Sequence, residues 1–210
     1  LAVGTARSIF GENVKRKIQC FPENFDDIKA YMFLACPIVH PSVMMRRDVF
    51  FKYNIRYDEH YRNMEDYKLW YDIMQIGKIA NISEPLLFYR ISKEQVSTKY
   101  KVNQMIGNKL FRREIMSTYL LSKGINIDER IINWELIHEI SHLKLQTIDD
   151  AKMIASILFV CCLSVHDNKG LGLIKFLYSL VWTKRFFHCK YIGGIIIHYL
   201  HLKRLDYFSI

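Results

Sequence analysis

The stretch that decides the fold runs from Met64 to Ser92 and reads MEDYKLWYDIMQIGKIANISEPLLFYRIS. An acidic pair, Glu65 and Asp66, opens a run in which apolar residues recur at helical spacing. Two short apolar runs follow, at residues 79–82 and 86–91, with turn-forming residues between them. The pattern predicts one amphipathic helix with the acids in its first turn, and then two short strands.

The residues around this stretch predict further elements of a mixed α/β domain. Leu1 to Thr5 is typical of a strand, and Lys15 to Phe21 of its hairpin partner. Asn24 is expected to cap a helix over Phe25 to Leu34, and Asn63 to cap the helix that Gly77 ends. The remaining predictions are a strand over Ser42–Arg46, a short helix over Arg47–Asn54 and a loop over Arg56–Arg62.

After about residue 98 helical periodicity replaces this alternation, so we predict two domains, 1–98 and 99–210. The predicted helices are Val102–Lys123, Asp128–Leu145, Asp149–Val165, Gly170–Thr183 and Tyr191–Leu205. No apolar run reaches the ~18–20 residues that a membrane-spanning helix needs. The second part is therefore expected to be an all-helical extension.

Composition indicates a globular chain with an anionic partner. Of 210 residues, 50% are hydrophobic, and the net charge is +9. Residues 1–98 hold 14 Lys and Arg against 12 Asp and Glu, whereas residues 99–210 hold 16 against 9. The five cysteines form no Cys-x-x-Cys pair, which favours reduced thiols in a cytoplasmic protein over a disulfide framework or a zinc site.

The acid pair is the first candidate for chemistry. A carboxylate in the first turn of a helix is held by backbone N–H groups and by the helix dipole, which keep it ionised and oriented. A general base needs both properties. Ordinary helix-start acids look the same, however, so the pair alone leaves both interpretations open.

The surrounding motifs, taken together, resemble the second half of a glycosyltransferase family 2 catalytic domain. In that family an acidic pair opens a helix bearing Leu-Trp, followed by Gly, a short strand, Pro-Leu and Tyr-Arg, as in residues 64–92 here. The upstream HPSVMMRRDVF, residues 40–50, resembles the strand and short helix that precede it in the family. The resemblance covers residues 1–98 and implies a partial GT-A fold with a mixed sheet.

The resemblance also implies roles for individual residues. Asp66 matches the catalytic base that deprotonates the acceptor hydroxyl as it attacks a nucleotide-diphosphate sugar, with inversion at the anomeric carbon. Glu65 would support the acceptor or orient Asp66. Trp70 could stack on a sugar face, although core packing explains it equally well.

Other candidate binding residues lie on either side of the helix. His40, predicted to start a strand, could contact acceptor or donor, or be structural; Arg46, or its neighbour Arg47, and Arg90 could bind the diphosphate. Gln95 and Ser97 match a family loop that closes over the donor. Ser92 stands where many relatives carry a histidine near the metal, which puts metal binding by this half in doubt.

The donor half of the site is expected to precede Leu1. Family members bind Mg²⁺ or Mn²⁺ through an Asp-x-Asp motif, and this sequence contains none. We therefore predict a fragment, inactive alone, of an inverting glycosyltransferase that acts on a glycan or lipid-linked acceptor in surface polysaccharide or glycolipid biosynthesis. Its metal ligands would lie outside it.

Aromatic and basic residues interleave over residues 175–204, which suits an anionic membrane surface at the inner face of the membrane, or an ordinary helical bundle. The alternative function is a non-catalytic membrane-associated interaction module derived from a GT-A domain. Nucleic-acid binding is a third, weaker hypothesis, because no recognisable module accompanies these residues.

Overall fold

The computed structural model describes residues 1–11, 14–92, 94–127, 134–141, 143 and 147–165. The chain divides into two compact units, residues 1–113 and residues from Glu114 onward. The strands are β1 (Ala2–Gly11), β2 (Val14–Gln19), β3 (Met44–Met45) and β4 (Ile79–Ile91). The helices are α1 (Phe25–Tyr31), α2 (Asp48–Phe51), α3 (Glu65–Ile76), α4 (Val96–Lys99), α5 (Lys101–Leu121), α6 (Trp134–Ser141) and α7 (Ile148–Val165).

The first unit is built on a mixed sheet with β1 at its centre. β2 and β3 pair antiparallel with β1, whereas β4 runs parallel to it along its whole length. The predictions of an α/β fold with a mixed sheet and of the β1–β2 hairpin are confirmed. The predicted turn residues 12 and 13 lie outside the described residues.

β4 is one strand, and the prediction of two strands separated by a turn at Ser83–Pro85 is wrong. The chain stays extended through Pro85, which faces Ala6 where the register with β1 shifts. A register shift absorbs a residue that lacks a backbone N–H, because the ladder is already interrupted there. β1 is likewise longer than the predicted Leu1–Thr5.

Helix α1 has the predicted cap but ends three residues early. The Asn24 side chain accepts a hydrogen bond from the Asp27 N–H at 3.0 Å. The segment after Tyr31 turns instead of continuing as helix, and residues 32–34 are buried. This turn brings the chain to Pro37 and then to the candidate site.

Asn81 fastens this segment to the sheet. Its buried side chain donates hydrogen bonds to the carbonyls of Pro22, at 2.7 Å, and Pro37, at 3.0 Å. Gly4 lies opposite on β1, where a Cβ would stand 2.5 Å from the Asn81 side-chain oxygen and 2.7 Å from Ile38. The sheet therefore needs a residue without a side chain at position 4.

The core of the first unit lies beneath α3. Trp70, Tyr67, Leu69 and Ile73 are buried along one face of the helix, and the Tyr67 hydroxyl donates a hydrogen bond to the Met32 carbonyl. Phe111 packs edge-on against Tyr67, with ring centroids 5.0 Å apart. Packing, rather than capping, stabilises this helix.

The start of α3 is not capped as predicted. Met64 is the N-cap residue and makes no side-chain cap hydrogen bond, whereas Asn63 has a left-handed backbone with φ 69°. Asparagine tolerates this conformation better than most residues, so it serves the turn into the helix instead of the cap. Gly77 ends the helix as predicted.

The regular elements described in the second unit are all helices. Its buried residues include Leu120, Ile137 and Leu158 on the helices, and Ile125 and Ile127 in the segment after α5. Asp150, also buried, accepts hydrogen bonds from Lys123 at 2.7 Å and from the Tyr119 hydroxyl at 2.8 Å. The predicted helices Gly170–Thr183 and Tyr191–Leu205, with the basic and aromatic residues they carry, lie outside the described residues.

The predicted domain boundary near residue 98 precedes α5, which runs continuously from Lys101 to Leu121, whereas the compact units divide after Arg113. The sequence pattern changes near residue 98, just before α5 begins. The first compact unit nevertheless includes the first turns of α5, so the two boundaries differ. In the described part of the chain, no helix is both long enough and apolar enough to cross a membrane.

Candidate active site

The candidate active site lies at the start of α3, where the predicted acid pair meets the segment that follows Pro37. Asp66 is partly buried, and its carboxylate accepts a hydrogen bond from the Tyr67 N–H at 2.8 Å. One carboxylate oxygen of Glu65 is buried without a hydrogen-bond partner. A buried acceptor without a donor can receive a hydrogen bond from a bound hydroxyl.

His40 lies beside the acid pair because a turn docks it on the sheet. It begins a 3₁₀ turn, His40–Ser42, so the prediction that it starts a strand is wrong. The Ser42 hydroxyl accepts a hydrogen bond from the Thr5 N–H at 3.0 Å and donates one to Val39 at 2.8 Å. These two bonds tie the turn to β1, and local periodicity could not reveal them.

The His40 ring has two aromatic neighbours. It packs edge-on against Trp70, with centroids 5.9 Å apart, and its Nε2 lies 2.9 Å from the Tyr57 hydroxyl. Trp70 is 0% exposed, so its ring packs in the core, as the alternative interpretation expected, and offers no open face to a sugar. Its edge contact instead supports the histidine.

Burial raises the pKa of the Asp66 carboxyl. His40 and the Tyr67 N–H act in the opposite direction, and Glu65 adds to the increase. The sequence prediction considered only the helix start, whereas burial has the larger influence on the pKa of Asp66. A carboxyl with a raised pKa is the stronger base when it is ionised.

Two residues at this site were not predicted. Tyr57 comes from the segment read as a loop, and burial together with the charges of Asp66 and Glu65 raises the pKa of its phenol. Cys36 lies in the segment after α1, and burial together with the charge of Asp66 raises the pKa of its thiol. Neither residue belongs to a periodic pattern, so the sequence carried no signal for them beyond residue type.

The structure brings together His40, Glu65, Asp66 and Trp70, whereas the contacts of Arg46 and Arg90 are with other residues. Arg46 is exposed and pairs with Asp48 at 3.1 Å. Arg90 lies in β4 with its guanidinium 5.5 Å from the centroid of the Phe10 ring.

Gln95 and Ser97 belong to the segment after β4. The side-chain oxygen of Gln95 accepts a hydrogen bond from the Ser92 N–H at 3.1 Å, and Ser97 lies in the short helix α4. The contacts of Ser92 are thus internal to this loop. The proposed contact of Gln95 and Ser97 with a donor stays a prediction.

The described residues do not group as a metal centre. Nowhere in that part of the chain do three His, Cys, Asp or Glu side chains come together as a cation would require. The expected Mg²⁺ or Mn²⁺ stays a prediction.

Two curated proteins are similar to this chain. It is 31% identical over 153 residues, 72% of its length and 45% of the relative's, to an uncharacterized glycosyltransferase of Haemophilus influenzae. It is 29% identical over 97 residues, 46% of its length and 36% of the relative's, to the amylovoran biosynthesis glycosyltransferase AmsE of Erwinia amylovora. The chain thus spans less than half the length of these relatives. No family model matches it, and no solved structure is significantly similar to it.

Proposed function

We propose that this chain forms the acceptor side of the active site of a glycosyltransferase, with a GT-A fold of the family 2 type. The observation that carries the proposal is the position of Asp66, a partly buried carboxyl with a raised pKa that lies next to Glu65 and His40. The similarity to two proteins named glycosyltransferases supports the same reaction class.

In the proposed reaction Asp66 accepts the proton of an acceptor hydroxyl. The oxygen forms a bond to the anomeric carbon of the donor sugar while the bond from that carbon to the diphosphate oxygen breaks. The nucleoside diphosphate leaves with the electron pair, and the configuration inverts, as the family resemblance implies. Glu65 accepts a hydrogen bond from the acceptor through its unpartnered oxygen.

The described residues are proposed to supply only part of the donor side of the site. The family resemblance implies a divalent cation, Mg²⁺ or Mn²⁺, which would offset charge on the leaving diphosphate. The described residues do not fit such a centre, so we propose that its ligands come from residues other than these. Arg90, Arg46, Gln95 and Ser97 remain proposed donor contacts.

The proposed acceptor is a glycan or a lipid-linked glycan in the assembly of a surface polysaccharide or glycolipid. One relative is named for the biosynthesis of amylovoran, and this name supports polysaccharide assembly. The donor sugar and nucleotide can be found by measuring nucleoside diphosphate release from a panel of nucleotide sugars.

The test is Asp66→Asn in the full-length protein that contains this chain. Removing a general base lowers turnover by about 10²–10⁴-fold, whereas donor affinity, measured by calorimetry, should stay the same. Asp72→Asn is the matched control, because Asp72 lies on the same helix and pairs with Lys68 at 2.7 Å. Near-normal turnover of Asp66→Asn, or equal loss in both variants, would overturn the assignment.

A specific surface favours the second candidate function, a membrane-associated interaction module. Val102, Ile106 and Leu110 form a stripe along α5 and are 64%, 56% and 63% exposed. Residues 99–113 hold five Lys and Arg and no Asp or Glu. An aliphatic stripe within a basic segment is complementary to an anionic lipid surface, and we propose this surface as its partner.

Vesicle sedimentation of the same protein tests the lipid partner. Changing Val102, Ile106 and Leu110 to Ser should lower binding to phosphatidylserine-containing vesicles about tenfold or more. Met44→Ser, at another exposed apolar residue, is the control. Unchanged vesicle binding by the triple variant would refute the proposal. If the oligomeric state changed while vesicle binding did not, the stripe would be a contact between protein chains instead of a lipid contact. Vesicle binding without sugar transfer from any donor would favour the module over the enzyme.

A further inference from the structure

Tyr57 is the aromatic residue that joins the loop after α2 to the candidate active site. Its hydroxyl lies 2.9 Å from His40 Nε2, and the two ring centroids are 5.8 Å apart. The loop is mostly exposed, and Tyr57, although 43% exposed, contacts the His40 side chain. The contact joins residues 17 positions apart in the chain, so local structure does not impose it.

The contact restricts the orientation of the His40 ring. Trp70 packs against the imidazole edge-on, and the 3₁₀ turn that carries His40 is tied to β1 through Ser42. Neither contact occupies a ring nitrogen. The Tyr57 hydroxyl contacts the ring nitrogen Nε2 and can accept a hydrogen bond from a protonated imidazole.

In its protonated form, His40 lowers the pKa of the Asp66 carboxyl. The other titratable groups near the Asp66 carboxyl carry no positive charge, because they are neutral when protonated and negative when ionised. They are Glu65 on the same helix, Tyr57 on the loop, Cys36 after α1 and Tyr67 on the next position of α3. The protonation of Asp66 therefore depends on how firmly His40 is held beside it.

We propose that Tyr57 is a positioning residue: its hydroxyl holds His40 beside Asp66 and so sets the pH range in which Asp66 can accept a proton. The consequence for catalysis rests on the proposed function, whereas the coupling of the three side chains does not. Tyr57 touches no reacting atom in this proposal. It acts through the imidazole.

The direct test is an NMR titration of the Asp66 carboxyl in the full chain. Tyr57→Phe removes only the hydroxyl, so the His40 ring loses its hydrogen-bond partner and is held less firmly beside Asp66. The titration midpoint should rise by about 0.3–1 pH unit, a two- to tenfold higher proton affinity. In a His40→Gln background the same substitution should produce no further shift.

Tyr53→Phe is the matched control. Tyr53 is 41% exposed and Tyr57 43%, and both precede the 3₁₀ turn Glu59–Tyr61. An unchanged midpoint in Tyr57→Phe would overturn the proposal. So would an equal shift in the His40→Gln background, or an equal shift caused by Tyr53→Phe.

Transfer assays separate this inference from the proposed function. If Asp66 is the base, the acidic limb of the kcat/KM profile should move with the NMR midpoint in Tyr57→Phe. A moved midpoint together with near-normal turnover of Asp66→Asn would refute the function and leave the coupling standing. A fixed midpoint together with inactive Asp66→Asn would refute the coupling and leave the function standing.

Discussion

Asn81 should be among the most sensitive polar positions of the first unit. Its side chain donates to the carbonyls of Pro22 and Pro37, which lie 59 and 44 residues away in the chain. Asn81→Ala removes both donors at once. The Pro37 carbonyl is then buried without a partner, whereas water can reach the partly exposed contact at Pro22.

The expected loss of stability follows from these two contacts. An unpaired buried carbonyl costs about 1–3 kcal/mol, and the partly exposed one costs less, so the sum is about 2–4 kcal/mol. That is a large share of the ~5–15 kcal/mol that stabilises a typical domain. Because Pro37 lies three residues before His40, the variant should also loosen the histidine.

Urea unfolding followed by Trp70 fluorescence measures this loss. The chain has three tryptophans, so Trp134→Phe and Trp182→Phe would leave one reporter, in the core of the first unit. With a slope of about 2 kcal/mol per M, the midpoint should fall by about 1–2 M. Asn103→Ala, on the exposed face of α5, should change stability by less than about 0.5 kcal/mol. A loss below about 0.5 kcal/mol in Asn81→Ala would refute the reasoning.

Three further substitutions test other contacts in the same unfolding assay. Gly4→Ala should cost about 1–3 kcal/mol, because its Cβ would stand 2.5 Å from the Asn81 side-chain oxygen. An unchanged midpoint would mean that the side chains of Asn81 and Ile38 can move aside at little cost. Tyr67→Phe should cost about 1–3 kcal/mol, because the Met32 carbonyl loses its donor, and a neutral result would contradict that bond. Asp66→Asn should stabilise the protein at neutral pH, because burial raises the pKa of this carboxyl and ionisation then opposes folding. The gain should vanish as the pH falls below the ordinary carboxyl pKa of 3.8, and a gain that persists there would contradict this origin.

The elements that could be predicted are those whose signals are local. The bounds of α3 follow from apolar spacing and from Gly77, and the start of α1 follows from the Asn24 cap. Both depend on residues within a few positions of each other. The acid pair was also identified from local sequence. The motifs around it suggested its catalytic role through their resemblance to a known family.

The features that could not be predicted depend on distant partners. Pro85 looks like a turn residue until β1 pairs with it at a register shift. The 3₁₀ turn of His40 depends on the hydroxyl of Ser42 meeting β1, and the role of Tyr57 depends on His40. The direction of the pKa shift of Asp66 follows from burial, which is a property of the packed domain.

The parallel pairing of β4 has a practical consequence for handling the protein. Within the described residues the strand pairs only with β1, and beyond the hydrogen bond from the Asn81 N–H to the Glu23 carbonyl its other edge carries no partner strand. Leu86 and Phe88 are exposed on this strand. An open edge next to apolar side chains is a template on which further chains can add. Precipitation that depends on concentration, more than unfolding, should therefore limit crystallisation, and Phe88→Lys should raise the solubility limit.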